Sequence, residues 1–546
     1  MANPSKKKSK KINFHEQLVL TQWLWSKFNP DNIKGMYTLL DLPIHEGIEH
    51  EGEDAGQTKF FTELTRDLVG KQTLDIDTLR RYDRNIVRHW LQISEARNEQ
   101  ANSELNLKYF QYLSLLFTEY YLDQYFNHSE QMLEELNATV VAYNEDKSDS
   151  EILQPYVAND LNKVAYWSAT GSGKTLLMHI NILQYQYYTE HASHNDKIEQ
   201  IILLTPNDGL SNQHLEEFKL SGIEAMIFQK NKSRDQFLKY VQIMDIHKLA
   251  ERDGDKTIAV ESLEGQNLVL IDEGHRGTSS ADGTWMSYRD TLTKNGFSFE
   301  YSATFGQAIN KSNNVIKQEE KEQKTKAKML YGTQALTKLD DTQLKALTLD
   351  ELEKQKARRE ALREVYAKNI LFDYSYKYFY DDGYGKEVNI LNMKKGETQD
   401  NQQLYLTACL LAFYQQQHLY QNNVGRLKQF KVENPLWVFV GNKVNDDDSD
   451  ILTIIKFLAD FLDSRHKAET INWIHDFITN KSRLVDNKGN NIFVNRFEPL
   501  HGRDAEAIYQ DILSQFFNAG SNQRLNVIRI TQNTGELRLQ IGENTP

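Results

Sequence analysis

The residues of this chain with the clearest chemistry form the stretch SATGSGKT, residues 168–175. A phosphate-binding loop needs inward-turned backbone N–H groups, small residues and one cation. Gly171 and Gly173 permit the tight backbone, Lys174 supplies the charge, and Thr175 offers a hydroxyl to Mg²⁺. Ser168 stands where the general pattern has glycine. The residues predicted to hold the phosphates are Thr170, Gly171, Ser172, Gly173, Lys174 and Thr175.

A second motif, NLVLIDEGHRG at residues 267–277, supplies carboxylates. Its apolar run predicts a strand that ends in Asp272 and Glu273. In an open parallel sheet, ligands bind at the carboxyl edge of the strands. We therefore expect Asp272 to hold Mg²⁺ and Glu273 to orient and deprotonate an attacking water molecule, with Lys174 on the phosphates.

Short apolar runs alternate with helical patterns between residues 151 and 309. The runs are KVAYWSA, QIILLTP, EAMIFQ, YVQIMDI, NLVLIDE and FSFEYSAT. Strands that alternate with helices are typical of a parallel sheet covered on both faces. The predicted fold class is therefore α/β.

The order of four motifs resembles that of superfamily-two helicases and translocases, and within them most closely the restriction (Res) subunit of type III restriction enzymes. The four are the phosphate loop, LLTPNDGLSNQHLEEF (203–218), DEGH (272–275, a DExH form) and YSAT (301–304). The resemblance implies a RecA-like ATP-binding domain over 151–309. It also implies ATP and Mg²⁺ as cofactors, with Thr175 and Asp272 as metal contacts.

The resemblance assigns further roles at two motifs. Thr205 and Pro206 match a loop that touches the nucleic-acid backbone in that family. Ser302, Ala303 and Thr304 match the motif that couples nucleotide state to movement.

His275 lies two residues beyond Glu273, and we expect it to hydrogen-bond toward the Ser302 and Thr304 hydroxyls. A structural histidine is the alternative. Gln154 in LQPY is a candidate adenine contact, and an ordinary loop residue is its alternative.

The remaining chain divides into three predicted regions. Residues 1–150 show helical spacing with many aromatic residues, which favours a packed helical core over base stacking. A highly charged segment over 310–375 predicts a solvated connector or insertion. Residues 376–546 predict a partial second RecA-like domain, with a strand in PLWVFVGN and a hairpin in LNVIRITQNTGELRLQIG.

The resemblance also implies an arginine motif, Q-x-x-G-R-x-x-R, that is not found here. QNNVGRLKQ at Gln421 has different spacing and precedes the first predicted strand of the second domain. We therefore expect a truncated chain, with later motifs and the nuclease domain on a downstream fragment.

Charge, cysteine content and hydropathy limit the partners and the cell compartment that we expect for the protein. The 546 residues carry a formal net charge of -13, which argues against a uniformly basic nucleic-acid coat but permits a local basic groove. A single cysteine, Cys409, lies in an apolar run and predicts a buried structural thiol in a reducing compartment. No apolar run approaches a membrane span, so we expect a cytoplasmic protein without membrane contact.

These features together predict an ATP-dependent helicase or translocase module that binds double-stranded DNA in a type III-like restriction system. Its expected partners are duplex DNA and a modification methyltransferase subunit. A DExH RNA helicase is one alternative. A nucleotide-binding, non-catalytic subunit or scaffold that lacks the arginine finger is the other.

Overall fold

The structure is a computed structural model that falls into two compact units, Met1–Lys386 and Glu387–Pro546. It describes residues 14–28, 37–38, 40–68, 74–101, 104–147, 152–192, 197–229, 240–250, 257–273, 284–305, 323, 326–327, 329–331, 347–348, 362–385, 399–428, 432–439, 450–486, 489–520, 524–529 and 537–541. Most of the predicted 310–375 connector lies outside these residues.

The first unit begins with helices rich in apolar and aromatic residues. They are α1 (Val19–Phe28), α2 (Lys59–Leu68), α3 (Ile76–Ala101), α4 (Tyr109–Asn127) and α5 (Ser129–Asn144). The aromatic side chains of α4 pack inside the core, as predicted: Phe117 contacts the rings of Trp25, Phe28 and Phe372. Because Phe372 comes from a later strand, these helices share one core with the sheet that follows.

Strands and helices then alternate along the chain. The strands are β1 (Lys163–Ser168), β2 (Gln200–Thr205), β3 (Ala225–Ile227), β4 (Val241–Asp245), β5 (Leu249–Ala250), β6 (Ile258–Ala259), β7 (Asn267–Asp272), β8 (Phe297–Ser302) and β9 (Ile370–Tyr374). The helices are α6 (Lys174–His191), α7 (Asp208–Leu220), α8 (Thr284–Leu292), α9 (Leu362–Asn369) and α10 (Tyr376–Asp381). All six predicted strands are confirmed.

Seven of the described strands form one sheet in the order β3-β4-β2-β7-β8-β1-β9, and every neighbouring pair is parallel. The predicted α/β fold with a parallel sheet is confirmed. The predicted end of this domain at residue 309 is too early, since β9 pairs with β1. The strand β9 was not predicted, because its short apolar run, ILFDY, follows a highly charged segment.

Both faces of the sheet are covered, because side chains of successive strand residues point to opposite sides. Leu268 and Leu270 of β7 join the core that contains the N-terminal helices. Val269 and Ile271 join a second core, with Leu292 of α8, on the opposite face.

A buried carboxylate joins three helices of the first unit. Glu119 of α4 is fully buried and accepts hydrogen bonds from Asn85 Nδ2 of α3 at 2.7 Å and from Gln184 Nε2 of α6 at 2.7 Å. The hydroxyl of Tyr188 donates to its second oxygen at 2.8 Å. Burial raises the pKa of Glu119 to about 7, although these three donors favour the ionised form.

The second unit is mainly helical in its described residues. Its elements are α11 (Gln399–Asn422), α12 (Val424–Lys428), α13 (Asp450–Leu462), α14 (Lys467–Ile478), α15 (Ala505–Phe517), β10 (Leu525–Arg529) and β11 (Leu537–Ile541). The predicted hairpin is confirmed, since β10 and β11 pair antiparallel. The predicted strand in PLWVFVGN is wrong for Pro435–Phe439, which forms no ladder with the described residues.

Two further expectations concern the second unit and membranes. Cys409 is half-buried, so the predicted burial is only partial; burial raises the pKa of its thiol to about 11, and the thiol stays protonated near neutral pH. Among the described helices, none combines the length and the apolar character needed to cross a bilayer.

We predict that Glu119→Gln makes stability less dependent on pH. The folded pKa of Glu119 is raised to about 7, from an ordinary value of 4.5. The folded protein therefore holds a proton that the unfolded chain releases, and this stabilisation is lost as the pH rises from about 4.5 to 7. Glutamine does not titrate; its amide oxygen keeps the bonds from Asn85 and Gln184, and its amide N–H donates to the Tyr188 hydroxyl oxygen instead of accepting from it. Urea unfolding at pH 5 and pH 8 should show a wild-type decline that exceeds the variant's by roughly 3 kcal/mol. Equal declines would contradict the assignment.

Candidate nucleotide site

Four neighbouring strands of the sheet end in the four predicted motifs. The order β2-β7-β8-β1 is parallel throughout, so Thr205, Asp272, Ser302 and Ser168 end their strands at one edge. Adjacent strands lie about 4.8 Å apart, which puts the phosphate loop after β1 roughly 10 Å from the end of β7. Side chains from the two motifs can meet across that distance.

The phosphate loop has the backbone that its glycines predict. Gly171 and Gly173 have φ values of +89° and +86°, in the left-handed region that favours glycine. Thr170 and Gly171 are exposed, whereas Ser172 is buried and donates its hydroxyl to Ala169 O at 2.7 Å. Gly173 is the N-cap of α6, so the first N–H groups of that helix face the loop.

A residue of the N-terminal helices, not predicted from the sequence, holds this loop. Gln111 of α4 donates from Nε2 to Ser172 O at 2.9 Å, and its Oε1 accepts from Lys108 N at 3.0 Å. A Cβ added to Gly173 would lie 2.4 Å from Gln111 Nε2. Gln111 therefore packs directly on the glycine. Its only sequence signal is a glutamine between aromatic residues, in YFQY at the start of α4.

The loop cation reaches the acidic strand end. Lys174 Nζ lies 3.1 Å from Glu273 Oε1, across the end of β8, and both side chains are largely buried. Glu273 has φ +55°, an unusual backbone for a residue with a side chain. Such a conformation costs roughly 1–3 kcal/mol and is typical of functional sites.

The second carboxylate, Asp272, is oriented by a histidine that the sequence analysis did not single out. His214 Nε2 of α7 lies 2.9 Å from Asp272 Oδ2, and both residues are buried. His214 Nδ1 is buried without a hydrogen-bond partner among the described residues, so Nε2 is the nitrogen that donates. The signal for His214 was its place in the LLTPNDGLSNQHLEEF motif.

The coupling motif lies between the other two. Ser302 is fully buried, and its Oγ accepts from Thr304 N at 3.1 Å. Ala303 O accepts from Trp167 Nε1 of β1 at 3.1 Å, which ties this motif to the strand before the phosphate loop. Thr304 Oγ1 is buried with no partner within the described ranges. His275, the predicted partner of these hydroxyls, lies outside the described residues.

The predicted nucleic-acid loop begins with buried side chains. Thr205 and Pro206 are buried, and Thr205 Oγ1 lies 2.6 Å from Ser211 Oγ. The exposed part of the loop is Asn207 to Gly209. Its outward-facing surface therefore starts one residue later than the motif indicates.

The adenine candidate Gln154 is not brought to this site. Its neighbour Pro155 accepts a hydrogen bond through O from Lys368 Nζ at 3.2 Å. Lys368 precedes β9, and β9 runs parallel to β1, so this contact lies at the amino edge of the sheet. The phosphate loop lies at the opposite edge.

The residues present fit a nucleoside triphosphate with Mg²⁺. The loop offers glycines in the left-handed region, the first turn of α6 and the Lys174 ammonium. A Cβ on Gly171 would meet only Phe379 Cζ, at 3.6 Å, so the surface there is open. Oxygen groups of the kind that Mg²⁺ prefers come from Thr175 and Asp272.

We predict that Gly173→Ala destabilises the first unit more than Gly171→Ala does. Both sites require a positive φ, but only at Gly173 does the new methyl group collide with Gln111. Gln111→Ala removes the collision, so in that background the two glycine variants should have similar free energies of unfolding. A double-mutant cycle in urea measures the coupling, and no coupling between Gly173 and Gln111 would contradict the packing described.

Comparison with known proteins finds similarity to one protein family and to a solved structure. Residues 78–307 match the family model described as "Type III restriction enzyme, res subunit", which is less than half of the chain. No curated protein matches the chain. The SWI2/SNF2 ATPase core of Sulfolobus solfataricus, solved in complex with double-stranded DNA, aligns at 12% identity and a TM-score of 0.23. That alignment covers 65% of this chain and 66% of the other, just under two thirds. Residues 78–307 are thus similar to the res subunit of type III restriction enzymes.

Proposed function

We propose that this chain binds Mg²⁺-ATP and hydrolyses it to move along or remodel double-stranded DNA in a type III-like restriction system. The observation that carries the proposal is the 3.1 Å contact between Lys174 Nζ and Glu273 Oε1. It brings the cation of the phosphate loop to the carboxylate after β7, so phosphate binding and water activation share one location.

The proposed binding groups come from two strand ends. The backbone of Thr170 to Gly173 and the ammonium of Lys174 hold the β- and γ-phosphates. The Thr175 hydroxyl and the Asp272 carboxylate hold Mg²⁺, with His214 fixing the orientation of Asp272. A bound metal ion neutralises negative charge that spreads over the phosphate oxygens during transfer.

Glu273 is the proposed general base. In the structure its carboxylate is compensated by Lys174. A triphosphate beside Lys174 competes for that ammonium, because it carries more negative charge than one carboxylate. Glu273 is then released to orient a water molecule and accept its proton, a role worth roughly 10²–10⁴ in rate.

The proposed link to movement runs through the end of β8. Ser302 and Thr304 follow the strand that separates β1 from β7, and Ala303 is tied to Trp167. A movement of the Lys174 or Glu273 side chain therefore takes place across the end of β8, next to these residues. DNA contact is proposed for the loop after Thr205 and Pro206, and a modification methyltransferase is the proposed protein partner.

We predict opposite effects for two substitutions in the central ion pair. Lys174→Ala should weaken ATP binding more than tenfold, because it removes the cation from the phosphates. Glu273→Gln should leave ATP affinity within about threefold and reduce turnover by roughly 10²–10³, since the amide accepts no proton. A fluorescent ATP analogue measures binding, and phosphate release with and without duplex DNA measures turnover.

Other results of the same assays would contradict the proposal. A wild-type chain that binds no ATP overturns it entirely. Tight ATP binding without DNA-stimulated turnover would instead indicate a non-catalytic subunit. Stronger stimulation by an RNA duplex of equal length would indicate an RNA helicase.

We also predict that His214→Ala raises the Mg²⁺ concentration needed for half-maximal ATP binding. Loss of the donor leaves the buried Asp272 carboxylate without this partner, at a cost of roughly 1–3 kcal/mol. His214→Gln keeps an N–H donor and should restore much of the metal response. The matched control is His179→Ala, because His179 is equally buried but contacts Ser221 Oγ, at 2.7 Å. Equal metal responses in the two alanine variants would contradict the assignment.

A further inference from the structure

A row of arginines follows one face of α3, away from the phosphate loop and the acidic strand end. Arg80, Arg84 and Arg88 are spaced four residues apart, and Arg81 lies beside them. They line an open groove of about 350 Å³, together with Asp77, Asn85 and Tyr187. Arg81, Arg84 and Arg88 are exposed, in a chain whose formal net charge is -13.

We propose that this arginine row binds the phosphate backbone of the DNA duplex, as a second contact surface separate from the loop after β2. The proposal rests on the proposed function, because it extends the DNA contact of the same motor. Arginine suits this role, since its planar fork pairs with phosphate oxygens through two hydrogen bonds.

The spacing of the row fits a nucleic-acid strand. A helix rises about 1.5 Å per residue, so the four-residue steps from Arg80 to Arg88 cover roughly 12 Å. One strand of a duplex presents a phosphate every 3.4 Å or so along the axis. The row therefore spans about three to four phosphates. An acidic protein segment has no such fixed repeat of charge, which is why we favour the duplex.

The fold holds the N-terminal end of the row through carboxylates and leaves Arg84 available. Arg80 lies 2.9 Å from Asp77 and 3.9 Å from Asp54. Arg81 lies 2.8 Å from the buried Asp123. These carboxylates fix the two guanidinium groups and offset part of their charge.

Arg88 is oriented without a direct carboxylate contact. Its guanidinium donates to Asn85 Oδ1 and lies 4.7 Å from the ring centre of Tyr187. Among the described residues, Arg84 makes no hydrogen bond or ion pair. Arg84 thus carries positive charge that no described carboxylate offsets by direct contact, whereas the charge of Arg88 also acts on the buried Glu119.

The row is remote from the nucleotide. Tyr187 lies thirteen residues after Lys174 on α6, which is roughly 20 Å along that helix. Changes at Arg84 should therefore leave ATP binding unaffected. Substitutions at Arg84 therefore test DNA contact alone, whereas substitutions at Lys174 alter nucleotide contact.

The test uses the full chain and a fluorescent DNA duplex of about 25 base pairs. Binding is titrated between roughly 50 and 300 mM salt. Each phosphate contact contributes a slope of about 0.9 to the plot of log affinity against log salt. Arg84→Ala should lower that slope by about 1 and weaken binding several-fold, and Arg84→Glu should weaken it further. The control is Arg66 of α2, which is 70% exposed and pairs with Glu63. Arg66→Ala and Arg66→Glu make the same charge changes and should have little effect.

Each remaining outcome overturns the proposal. Equal losses for the Arg84 and Arg66 variants show a general charge effect only. If polyglutamate binds the wild type but not Arg84→Glu, and the duplex does not discriminate between them, the partner is an acidic protein segment. If the wild type binds no duplex, the DNA part of the proposed function fails as well, whereas intact ATP binding would leave its nucleotide part standing.

Discussion

The parallel pairing of β2, β7, β8 and β1 is the constraint on which the rest of the site depends. Parallel strands all end at one edge, so residues from four distant parts of the chain meet there. Because β8 lies between β7 and β1, Lys174 and Glu273 meet across the end of β8, the strand that the coupling motif follows. The ion pair, the orientation of Asp272 and the contact of Trp167 with Ala303 all follow from that strand order.

The N-terminal helices are part of the candidate nucleotide site and not only its support. Helix α4 places Gln111 on the phosphate loop at one end and buries Glu119 against α6 near the other. The helix that begins at the phosphate loop is therefore held at both ends by α4. Through Asn85, the same buried carboxylate reaches α3, and Asn85 also lines the groove of the arginine row. The proposed nucleotide contact and the proposed DNA contact are thus joined through the same packed helices.

Much of the first unit follows from local patterns. Six apolar runs predicted strands, and all six are strands of the parallel sheet, because burial on both faces requires continuous apolar segments. The prediction missed β9, whose five residues follow a highly charged segment. In the second unit, Pro435–Phe439 has the apolar character of a strand, but it pairs with no described neighbour. A strand needs a partner, and sequence alone does not supply one.

The sequence by itself determined the position of the candidate phosphate loop and of the acidic pair, since loop conformation and strand ends depend on adjacent residues. Only the tertiary structure decided which groups hold them in place. Gln111 and Ser172 are 61 residues apart, and His214 and Asp272 are 58 apart, so no local pattern joins them. Gln154 is near the phosphate loop in sequence but not in space. The strand β1 lies between them along the chain, so Gln154 is at the opposite edge of the sheet. Packing of distant elements, and not spacing along the chain, completes the site.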